Sequence, residues 1–174
     1  MCATLDAEVL VEPAALQSRL RRWLQEHQGV FDAADAPDGL RLTEVATGKT
    51  LHVVADEVTD VDSRPNSETG REYLVLMHAG RPPLAVADAG FVFALDPRNT
   101  GELHGAPPTM SFRDFRRLYE HLRHLVEQPG DRREALDLTT ILIASLDGAR
   151  AAGLPTQVEE GELELVLRRL EAGA

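Results

Sequence analysis

Apolar residues fall on one stripe along residues 13–28, at Leu16, Leu20, Trp23 and Leu24, with Arg19, Arg21, Arg22, Gln25 and Glu26 on the wet side. That spacing predicts a helix, and Pro13 suits its first position. The stretch Phe31–Gly39, FDAADAPDG, is rich in Asp, Ala, Pro and Gly and reads as a loop. Beyond it the period drops to two. Leu40–Val45 and Thr50–Val61 read as strands around a turn at Ala46-Thr47-Gly48-Lys49, where Gly48 supplies a positive φ. Arg64–Arg71 is a polar hairpin loop, and Tyr73–His78, YLVLMH, is apolar on both faces, as a central strand is. Ala79–Pro83 turns the chain, and Leu84–Leu95 continues as strand with a bulge or tight bend at Asp88-Ala89-Gly90.

Asp96–Thr109, with three prolines, two glycines and no periodicity, reads as the longest loop. A helix follows, opened by a capping box of Ser111 and Asp114 with Met110 stapled to Phe115; its stripe is Phe112, Phe115, Leu118, Tyr119, Leu122, Leu125 and Val126. Residues 131–152 read as a second helix whose centre, LTTILIASL, is apolar on nearly all sides, although a strand at Thr139–Leu146 fits the same short run. Thr156 and Glu159 suggest a second capping box before a last helix with Val158, Leu163, Val166, Leu167 and Leu170 inside. The predicted fold class is therefore α+β: an antiparallel meander of four to five strands, an N-terminal helix and about three C-terminal helices. One domain over 1–174 is expected, with 1–96 the helix and sheet, 97–110 a loop and 111–172 the helical part. At the level of fold alone, over roughly half the chain, a helix leading into an antiparallel meander resembles bacterial secretion chaperones; no residues carry over.

Composition narrows the function classes. With 43% hydrophobic and 27% charged residues, 174 residues can bury a core without disulfide or metal. The lone Cys2 reads as an incidental thiol, so no internal disulfide and no multi-cysteine zinc site is expected. No run approaches the ~18 apolar residues of a membrane span, and the first residues lack the basic start and apolar stretch of a secretory signal; a cytoplasmic protein is expected. Lys49 is the only lysine, against 17 arginines, and Ile141 and Ile143 are the only isoleucines, a bias of GC-rich bacterial genomes. The net charge of −11 makes nucleic acid and anionic membrane poor partners, and leaves a basic protein or peptide, or a second copy of the chain.

Each motif with chemical content has a simpler structural reading. Gly48-Lys49-Thr50, with Ile141–Asp147 far downstream, imitates the ends of a nucleotide-binding loop and its acidic strand, but Thr43 stands where the loop needs another glycine and Leu51–Val61 alternates like a strand. The expectation is a hairpin turn, no ATP or GTP binding, and an intact fold in Lys49→Ala. The Asp32/Asp35/Asp38 and Asp56/Glu57/Asp60/Asp62 clusters do not follow a calcium-loop pattern, and His121 with His124 lacks a second ligand pair, so no metal and no cofactor is expected. Asp88, interrupting an apolar strand beside Gly90, either caps a bulge or faces a pocket.

What remains is a non-catalytic interaction protein: an adaptor, accessory subunit or immunity-type binder. Its expected surface is Val54 and Val58 beside Asp56 and Asp60 on one strand face, with Leu103, Pro107 and Pro108 of the long loop. The alternative is a small ligand-binding domain or enzyme with a pocket between the sheet and the 96–109 loop. The expected core includes Leu142, Tyr73, Val75, Phe93, Phe115 and Leu122.

Overall fold

The computed structural model of the chain describes residues 13–26, 29–65, 70, 72–87, 90–101, 109–128 and 132–173. Cys2, Asp88, Leu103, Pro107 and Pro108 lie outside them. The architecture is α+β: helix α1 (Pro13–Glu26), two antiparallel sheets, and three C-terminal helices, α3 (Phe112–Glu127), α4 (Arg132–Ala151) and α5 (Gln157–Ala172). Leu20, Trp23 and Leu24 of α1 are buried, as the stripe requires.

The first sheet has three strands in the order β1 (Phe31–Ala36), β2 (Gly39–Glu44), β3 (Thr50–Val54). β1 is the segment that reads as a loop. Its pairing from Phe31↔Glu44 to Ala36↔Gly39 makes it an edge strand. It contributes one fully buried side chain, Phe31, and its aspartates blunt the free edge, so its composition carries no apolar alternation.

The expected single strand over Thr50–Val61 is two. A 3-10 turn at Ala55–Glu57 ends β3 and starts β4 (Val58–Pro65), which belongs to the second sheet. The Ala55 N–H donates to the carbonyl of Asp38 at 2.9 Å and closes the corner. Strands β4, β5 (Glu72–His78), β6 (Arg81–Ala87), β7 (Gly90–Ala94) and β8 (Thr109–Ser111) then run in chain order, every pair antiparallel. β6 and β7 pair antiparallel through Ala87↔Gly90, so the strand expected over Leu84–Leu95 is two strands. The ends of the expected long loop are ordered: α2 (Pro97–Thr100) is capped by Asp96, and β8 pairs with β7.

One contiguous core draws on all these elements except α2. Leu142, Phe93, Phe115 and Leu122 belong to it as expected. Val75 is buried as expected but outside this cluster, and Tyr73 is only half-buried: period-two alternation turns Leu74 and Leu76 to the core and puts Tyr73 and Val75 on the other face of β5. Residues Thr139–Leu146 are helical throughout, and α4 carries nine buried residues, more than α3 or α5. Gly148 is one reason that α4 can lie on β7, because a Cβ there would sit 1.9 Å from the Ala94 carbonyl oxygen. Helix α3 opens with the expected capping box, Ser111 accepting from the Asp114 N–H at 3.2 Å and Asp114 accepting from the Ser111 N–H at 3.3 Å. No described helix is long and apolar enough to cross a membrane.

Leu142→Ala should cost about 2–5 kcal/mol, measured by chemical denaturation, since its fully buried side chain would leave a cavity; a loss under about 1 kcal/mol would remove α4 from the centre of the core. Asp96 supports a second prediction. Hydrogen bonds from the Arg98 side chain and then its backbone N–H lower its pKa to about 2. The folded value lies below the unfolded one, so this contribution is complete above about pH 4 and is lost as pH falls towards 2. Asp96→Asn should flatten the stability profile in that window and change nothing in its slope above pH 5.

Candidate functional site

A groove of about 630 Å³ opens where the first sheet, the start of β7 and the first turns of α3 and α5 meet. Glu44, Lys49, Gly90, Phe112, Arg113, Arg116, Val158 and Glu159 are among the residues that line it.

β2 places Leu40, Leu42 and Glu44 on its inward face, so Glu44 is only 3% exposed. β8 pairs with Val92–Ala94 and stops short of Phe91, whose N–H instead donates to Glu44 Oε1 at 3.0 Å. The Thr47 hydroxyl, from the turn after β2, donates to Oε2. Gly90 makes room for this reach across the sheets: it has φ +100°, and a Cβ on it would collide with the Glu44 carboxylate. Two independent constraints therefore require glycine there.

Lys49 stands just beyond the same turn, which Gly48 enters with φ +70°. Its Nζ is 2.6 Å from Glu159 Oε2 and 2.9 Å from the Pro155 carbonyl oxygen, and lies 4.5 Å from the centre of the Phe112 ring. Both charged side chains are more than nine-tenths buried. The expected Thr156/Glu159 capping box is therefore absent: Glu159 is drawn to Lys49, and the Thr156 hydroxyl donates to Glu160 instead. Val158, expected inside, is 64% exposed on the groove's rim. Arg116 donates to both carboxylate oxygens of Glu162, at 3.0 and 2.8 Å. Arg113 is exposed and has no ion pair among the described residues.

Three carboxylates are buried among the described residues. Asp96 carries Arg98, Glu159 carries Lys49, and Glu44 has two neutral donors and no cation.

The other sequence candidates scatter. Val58 is buried, Val54 is half-buried, and the corner at 55–57 sends them to different sheets, so with Asp56 and Asp60, both exposed, they form no single strand face. The nucleotide-loop imitation dissolves: Thr50 opens a strand, Ile141–Leu146 is helical, and Asp147 accepts from Asn99 and Arg150. His121 faces Glu134 at 2.8 Å, His124 is exposed, and no group of three or more potential metal ligands occurs among the described residues. His78, at the end of β5, has two ring nitrogens buried without a hydrogen-bond partner among the described residues; desolvation, and then the charge of Arg81, hold its pKa below the usual histidine value. The alternation Leu40-x-Leu42-x-Glu44 was the one available signal for the groove.

The geometry changes what Lys49→Ala is expected to do. Removing the ammonium strands a buried Glu159 carboxylate, so Lys49→Ala should destabilise the protein by about 3–5 kcal/mol. The double variant Lys49→Met with Glu159→Met should recover most of that loss, because no charge is then buried unpaired. Equal denaturation midpoints for the wild type and Lys49→Ala would dismiss the pair as a structural element.

No model of a protein family, no curated protein and no solved structure matches this chain, so the reading of the groove rests on its own residues.

Proposed function

We propose that the chain is a non-catalytic interaction protein and that the groove between the first sheet and the first turns of α3 and α5 receives a segment of a partner protein. The carrying observation is the contrast between the groove's floor and its rim. On the floor, Lys49 is held by Glu159 and the Pro155 carbonyl and is not free as a nucleophile, and both Glu44 oxygens already accept a hydrogen bond from the fold, so what capacity Glu44 keeps is for a donor that enters the groove. On the rim, Val158 is 64% exposed, with Leu165 at 60% seven residues further along the same face of α5; Val45, 51% exposed, lies on the turn beside the groove.

A volume of about 630 Å³ also suits a small molecule, and that second reading keeps the same site. It leaves the rim valines in water, which a protein segment would cover. The net charge of −11 favours a partner with basic character over nucleic acid. A single cysteine fits a cytoplasmic setting, which is part of the proposal.

A photo-crosslinking residue at position 158, expressed in the native host, should give a discrete adduct that an identical label at Glu171 does not give. Val158→Arg should leave thermal stability unchanged and weaken binding of the purified adduct partner at least tenfold, mainly through faster dissociation. Adducts of equal yield from both positions, or unchanged affinity in Val158→Arg, would overturn the proposal.

A further inference from the structure

We infer that the groove recognises a lysine side chain of the partner, whose ammonium pairs with Glu44; the inference rests on the groove being the partner's site. A carboxylate 3% exposed and, among the described residues, without a cation has its charge met by two neutral donors alone. An ionised carboxylate offers about four acceptor positions, and the Phe91 N–H and Thr47 hydroxyl use two, leaving room for an ammonium that reaches it through the groove.

The floor charge has the sign this needs. Glu44 and Glu159 against Lys49 leave one negative charge, and Lys49 is committed to Glu159 and Pro155. Arg113 at the mouth opposes a second positive charge, so one ammonium on an apolar stem fits better than a polycation. Guanidinium is a poorer fit, because it is wider and planar where the carboxylate already has both oxygens engaged. A lysine stem can lie along Val30 while the partner's backbone stays outside, over Val158.

The test is amide NMR titration of the full chain with three probes: Nα-acetyl-lysine methylamide, its Nε-acetylated form, and n-butylamine. The first should shift the amides of Phe91, Gly90 and Thr47 at millimolar concentration, the second should leave them in place, and n-butylamine should act on the same amides more weakly. Glu44→Gln keeps an oxygen for the Phe91 N–H and should weaken the lysine probe about thirtyfold or more. Shifts of equal size from the Nε-acetylated compound, or an unchanged titration in a folded Glu44→Gln, would overturn the inference. So would n-butylamine binding as tightly as the lysine probe, which would make this a small-amine site. The two wild-type lysine titrations decide the matter if Glu44→Gln does not fold. A position-158 adduct that survives while the lysine probe is inert would leave the groove as the partner site and remove Glu44 as its anchor.

Discussion

The contact between Lys49 and Glu159 joins the parts of the chain that local structure alone would leave apart. Lys49 belongs to the turn of the first sheet, Glu159 to the first turn of the last helix, and 110 residues separate them. Neither charge meets water to any extent, and the ammonium also takes the Pro155 carbonyl and lies over Phe112, so one side chain fixes the sheet, the α4–α5 link and the start of α3 at once. A buried ion pair of this kind adds little net stability compared with an apolar pair of the same volume, but each partner is expensive to remove alone.

Glu44 does for the two sheets what Lys49 does for sheet and helix. The corner at Ala55–Glu57 carries the chain from the first sheet to the second, and across the resulting gap Glu44 bonds to Phe91, while the Phe31 ring packs tilted against the Phe91 ring with centroids 4.9 Å apart. Apolar and polar contacts thus span the same seam. The groove opens at this seam because the first sheet, β7, α3 and α5 meet there with side chains that satisfy one another but do not fill the volume.

The elements with a strong internal pattern were legible in the residues. The stripe of α3 and its Ser111/Asp114 cap appear where periodicity and local hydrogen-bonding chemistry place them, because both depend on residues within a turn of one another. The long apolar run of α4 was legible as a buried element, and its helical form follows from its length more than from its period. β1 was not legible, since an edge strand that buries only Phe31 needs pairing from its neighbour and almost nothing from its own side chains. The strand through Thr50–Val61 misled for a related reason: alternation persists across the corner, and a short 3-10 turn changes the sheet without changing the pattern.

The amino-acid sequence determined the class of the protein, the positions of most of its helices and strands, and its acidity, because those follow from short-range periodicity and composition. Only the tertiary structure decided which polar residues face one another. Thr156 and Glu159 have the spacing of a cap and do not form one, since a lysine 110 residues away competes for the carboxylate and is buried with it. Glu44 looks like the polar end of a strand until Gly90 brings β7 close enough to cover it. Long-range electrostatic pairing depends on how layers of apolar residues dock, and no local pattern in the chain encodes that distance.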